Sequence, residues 1–71
     1  MKVVFIEVIR DCFKNSYKKL GEKEMDIVPI KGDVIQRKGE IWENWEVLLR
    51  RFVFDPEKGD CIKVFMRPYK L

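Results

Sequence analysis

Trp45-Glu46-Val47-Leu48-Leu49-Arg50-Arg51-Phe52-Val53-Phe54, Asp55-Pro56-Glu57-Lys58-Gly59-Asp60, Cys61-Ile62-Lys63-Val64-Phe65-Met66: the fold turns on how this stretch is read. Its first part supports two periods. Ile41, Trp42, Trp45, Leu48, Leu49 and Phe52 make a helical stripe. Trp45, Val47, Leu49 and Val53 also share the parity of a strand, as do Leu48, Phe52 and Phe54. No Ser, Thr, Asp or Asn stands just before Ile41 to cap a helix, and no glycine ends one before Gly59. The run Arg51-Phe52-Val53-Phe54 is bulky and β-prone. We read a strand from about Trp45 to Phe54, with a helix over 41–50 as the alternative. Asp55 to Asp60 is a turn, with proline second and glycine near its end. Cys61 to Met66 returns as a strand that Pro68 stops, so residues 45–66 form one antiparallel hairpin.

Upstream, residues 2–13 read as a long first strand. Val3, Phe5, Ile9 and Phe13 fall on one parity, and Val4, Ile6, Val8 and Cys12 on the other. A strand apolar on both faces in so short a chain suggests a sheet that curls over itself. Residues 14–24 are polar, contain Gly21, and read as a connection or the tip of a long hairpin. Met25-Asp26-Ile27-Val28 is a short strand ended by Pro29, followed by a turn at Ile30-Lys31-Gly32-Asp33. Val34-Ile35-Gln36 is another short strand, and Arg37-Lys38-Gly39-Glu40 another turn. The expectation is all-β: one domain over residues 1–71, a small SH3-like or OB-like barrel of about five antiparallel strands. The alternative is α+β, an antiparallel sheet with one helix near 41–50.

Composition agrees. Eight Val, seven Ile and nine aromatics make 24 of the 71 residues, and there is no Ala, Thr or His. Val, Ile and aromatics suit a pleated surface, whereas Ala is the best helix former. The absence of histidine excludes an imidazole base, a histidine metal ligand and any Ser-His or Cys-His nucleophile. A chain this small buries only about 60–65% of its unfolded surface, which leaves little room for a shielded cleft.

Val28-Pro29-x-x-Gly32-Asp33-x-Ile35, a glycine turn, Trp45-x-Val47 and a final hairpin together resemble small uncharacterised bacterial and phage proteins. Those proteins carry a VPxxGD turn followed by a WxV strand. The resemblance spans residues 26–66, implies a compact β-barrel-like fold, and brings no activity. Glu40-Ile41-Trp42-Glu43-Asn44 departs from that pattern by lengthening the turn before Trp45.

Chemistry-bearing residues are few. Carboxylates cluster at Glu22/Glu24/Asp26 and at Asp55/Glu57/Asp60. The second group sits where a turn calls for Asp and Glu, and it lacks the length and twelfth-position glutamate of a calcium loop. No glycine pattern makes a phosphate cradle. Cys12 and Cys61 are expected as free thiols, and a structural zinc would need further ligands. We expect no enzyme activity, no cofactor and no metal. The amino terminus lacks the long apolar region of a secretory signal, and no run reaches the roughly 18 apolar residues of a membrane span. A cytoplasmic location follows as an expectation.

Two functional readings remain. The first is a non-enzymatic protein-interaction or assembly module, meeting a protein partner or a second copy through Trp42, Val34 and Ile35. An edge near Val34-Ile35-Gln36 or at the C-terminal strand would invite strand addition, and an exposed tryptophan is a frequent interface anchor. The second is weak nucleic-acid binding through Lys14, Tyr17, Lys18, Lys19, Arg37 and Lys38, with bases stacked on exposed aromatics beside basic groups. Against it, Arg50 and Arg51 must point to opposite faces of a strand, and Glu40, Glu43 and Glu46 dilute the positive field. The net charge is only +3.

Overall fold

The computed structural model describes residues 1–70. Five strands form one sheet: β1 (Lys2–Arg10), β2 (Asn15–Glu24), β3 (Val34–Gln36), β4 (Asn44–Val53) and β5 (Cys61–Pro68). Their spatial order is β2-β1-β5-β4-β3. The sheet curls into a half-barrel, and the described residues contain no helix. The strand reading of 45–54 and the hairpin with 61–66 are therefore the structure, and the helix over 41–50 is not.

Five details differ from the sequence reading. β1 ends at Arg10, with residues 11–13 in the connection after it, and the C-terminal strand lies inside the sheet rather than at an edge. The polar stretch 14–24 contains a ten-residue strand, because β1 supplies the pairing partner that the stretch's own pattern does not advertise. Residues 25–28 make no strand; Met25 and Val28 instead pack across the open side of the core. The strands are not all antiparallel, since β1 and β5 run parallel from Val3–Ile62 to Glu7–Met66. That parallel pair joins a β1–β2 hairpin to a β3–β4–β5 meander and leaves β2 and β3 as the two edges.

Two bulges bend the sheet. Leu20 is the extra residue of β2, between Gly21 opposite Phe5 and Lys19 opposite Ile6. Leu48 is the extra residue of β4, between Val47 opposite Met66 and Leu49 opposite Phe65. A bulge kinks its strand and increases its twist, which is what a sheet of five strands needs to wrap a core. It also switches parity. Trp45 and Val47 share the inner face with Met66 and Pro68, but beyond Leu48 it is Arg50 and Phe52 that lie opposite the inner residues Val64 and Ile62. This mid-strand switch produced the helical stripe in the sequence.

The inner core comprises Val3, Trp45, Val47, Ile62, Val64 and Met66, with Phe5, Leu20, Met25, Val28 and Ile35 packed around it. Val3, Val47, Val64 and Met66 are wholly buried. Each such side chain stabilises the fold by about 1.5–3 kcal/mol relative to exposure. The Trp45 indole nitrogen donates to the Trp42 carbonyl at 2.9 Å, tying the loop before β4 to the core. The turn at 30–33 closes through the Asp33 amide to the Ile30 carbonyl at 3.0 Å. Gly32 sits at φ +93°, a backbone conformation that a side chain disfavours. Val3 and Val4 are both buried, so β1 does carry apolar contacts on two faces.

Candidate interaction surfaces

The outer face of the sheet has a smaller cluster, Val4, Ile6 and Phe65, flanked by Val8 and Cys61. Among the described residues no second layer covers it. Long side chains do so instead, burying their stems and keeping their polar ends in water. Arg51 lies over the Phe65 ring at 5.1 Å, and Tyr17 meets the same ring edge-on at 5.8 Å. Arg50 turns the other way, over Phe52 at 5.2 Å, so the adjacent arginines do occupy opposite faces.

Two clefts flank the sheet. The larger, about 440 Å³, opens between the edges, with Phe5, Met25 and Ile35 at its base and Glu22, Lys23, Arg37, Lys38 and Glu40 at its rim. Its charges are mixed, and Arg37 reaches Glu40 at 3.5 Å. The smaller, about 350 Å³, lies on the outer side against Val8, Tyr17, Leu48, Leu49 and Phe65. Its ionised lining side chains are all cationic: Arg10, Lys31 and Arg51.

The edges differ as well. The β2 edge carries Lys18, Lys19, Glu22, Lys23 and Glu24. Glu22 pairs with Lys19 and, at 3.5 Å, with Lys2. The Lys19 hydrogen bond is the main reason its carboxyl titrates below the ordinary carboxylate range. Glu24 meets the amino terminus at 3.0 Å. The β3 edge has no such guard. The Val47 amide donates to the Asp33 carbonyl at 2.9 Å and the Arg37 amide to the Glu43 carbonyl at 2.6 Å. Ladder alternation then turns the backbone groups of Val34 and Gln36 outward.

The residues proposed from sequence fall as follows. Val34 is 48% exposed on the β3 edge, and Trp42 is 44% exposed in the loop that follows it. Ile41, beside Trp42, is almost wholly exposed. Ile35 is half-buried, packs on the inner core and lines the larger cleft. The six basic and aromatic candidates do not gather into one face. Tyr17 and Lys19 lie opposite Val8 and Ile6 on the outer side, while Lys18 lies opposite Glu7 on the inner side. Lys14 is in the β1–β2 turn, where its carbonyl accepts the Asp11 amide. Arg37 and Lys38 belong to the other cleft. Sequence reading missed Arg10, Lys31 and Arg51. The shared parity of Val8 and Arg10 was a signal, but their joining Arg51 depends on the Leu48 bulge and the β1–β5 pairing.

The carboxylate clusters have structural duties. Asp55 accepts the amides of Glu57 at 2.9 Å and Lys58 at 3.1 Å. These two bonds, Lys58 first, hold its carboxyl below its ordinary value. Cys12 is exposed in the β1–β2 turn and Cys61 half-buried at the start of β5; both are free. Among the described residues no helix is long and apolar enough to cross a membrane. The chain matches no protein-family model, no curated protein and no solved structure.

Proposed function

We propose that this chain is a non-enzymatic protein-interaction module that accepts an extended segment of a partner protein along the β3 edge. One observation carries the reading: of the two edges, the long one is guarded by charge and the short one is open and carries no charged side chain. Natural sheets block edges with lysines and other charges, and β2 has them. At β3, Val34 and Gln36 point free backbone groups outward, with Ile41 and Trp42 exposed in the adjoining loop. A strand added there gains main-chain hydrogen bonds for affinity and apolar side chains for anchoring.

The test is selection of extended peptides from a display library, followed by amide NMR mapping at low and at high salt. Expected are shifts at Val34, Gln36 and the 41–43 loop that persist at high salt. Val34→Pro removes the outward amide but not a bond to β4, so it should abolish binding while leaving the fold intact. Peptides that bind this variant as well as the parent chain would refute the edge reading.

A further inference from the structure

We infer that the outer cleft between Tyr17, Phe65 and Leu49 is a second binding site, independent of the β3 edge, and that it takes single-stranded nucleic acid. Its size comes first. About 350 Å³ lies within the range of small-ligand sites and suits one nucleotide unit. Its charge comes next. Arg10, Lys31 and Arg51 come from three separate parts of the chain, the end of β1, the turn before β3 and the second half of β4. Among the described residues no carboxylate lines the cleft, and none of the three cations is in an ion pair. The other cleft on this molecule shows the contrast, since its rim holds glutamates beside its basic groups. A site that gathers positive charge without neutralising it is built for an anion.

The third feature selects the kind of anion. Tyr17 is 62% exposed, and its ring stands nearly perpendicular to that of Phe65, 5.8 Å away. Leu49 is 45% exposed beside it. An inorganic phosphate has no use for these apolar surfaces, whereas a base stacked on Tyr17 with its phosphate toward the cations uses both. Single strands are held in this way, by aromatic platforms beside a positive groove. Arg51 is already parked on the Phe65 ring at 5.1 Å, so its guanidinium is positioned before a ligand arrives. A duplex keeps its bases stacked inside and cannot present one to Tyr17.

Fluorescence anisotropy with labelled oligo-dT across a salt series tests the assignment, with amide NMR locating the surface. With three phosphates neutralised, the log–log salt slope should be about −2, from roughly 0.7 per contact. Shifts should centre on Arg10, Tyr17, Lys31 and Arg51. Tyr17→Ala should weaken binding about fivefold or more at an unchanged slope. Lys31→Gln, on an exposed turn, should make the slope shallower by about 0.7, and it keeps the test decisive if Tyr17→Ala fails to fold. Val34→Pro should leave oligo-dT binding unchanged, which separates this site from the β3 edge. No binding, shifts confined to Arg37 and Lys38, or equal binding by duplex, thymidine monophosphate or poly-glutamate would overturn the proposal.

Discussion

The two edges of this sheet solve one problem in opposite ways. β2 runs for ten residues and spends its length on charge, with lysines and glutamates cross-linked to each other, to Lys2 and to the amino terminus. β3 runs for three residues, has no charged side chain, and depends on brevity alone. Charge protects an edge wherever a partner approaches, because a neighbouring strand would have to desolvate it. Brevity limits only the number of bonds on offer and leaves each one available. The lesson is that a short edge can be both safe in the free chain and selective toward a segment that adds anchoring side chains.

That contrast can be broken or sharpened by substitution. The largest effect is expected at Trp45, which pairs with Ile35 and holds the Trp42 carbonyl. Trp45→Ala should cost about 3–5 kcal/mol by urea unfolding, enough to unfold much of the population of so small a domain. Met66→Ala, wholly buried in the inner core, should cost about 2–5 kcal/mol with an unchanged m-value. On the outer face, where only side-chain stems cover the cluster, Ile6→Val should cost about 0.5–1.5 kcal/mol. Removing the guard from β2 tests the comparison itself. Lys18→Val combined with Lys23→Val should leave the fold in place but produce concentration-dependent association in light scattering, and a variant that stays monomeric would contradict the role given to charge.

The smallest effect is the acid response. Glu22 and Asp55 both titrate below their ordinary values of 4.5 and 3.8. Their contribution is therefore complete above those values and fades as pH falls through the lower folded-state values. Neither group is buried, so the thermal midpoint should decline gently in that range. Asp55→Asn should flatten that decline and slightly lower the neutral-pH midpoint, because a neutral amide oxygen accepts the Glu57 and Lys58 amides less strongly than the carboxylate does.

The hairpin of β4 and β5 was legible because Arg51-Phe52-Val53-Phe54 is β-prone, no helix cap precedes Ile41, and Pro56 and Gly59 punctuate the turn between. β2 was not, because Lys and Glu occupy both of its faces and no apolar period marks it. Its strand character comes from β1, which the local pattern cannot express. The reverse error occurred at residues 25–28, where apolar side chains pack on the core without joining a ladder. The ambiguity at Leu48 has a physical origin, since one inserted residue shifts a two-residue period toward a helical one. At the surfaces, Val34 and Trp42 could be picked out because edge position and indole exposure are local properties. The cationic cleft could not, because Arg10, Lys31 and Arg51 meet only once parallel pairing and the bulge have been imposed.

The most direct test is amide hydrogen exchange across β3, in the free chain and with a saturating selected peptide at high salt. Protection is expected at Arg37, whose amide is bonded to the Glu43 carbonyl, alongside fast exchange at Val34 and Gln36 in the free chain. Val34 and Gln36 should gain protection when the peptide binds. Protection of those two amides in the free chain, or continued fast exchange beneath bound peptide, would show that β3 is not the open edge.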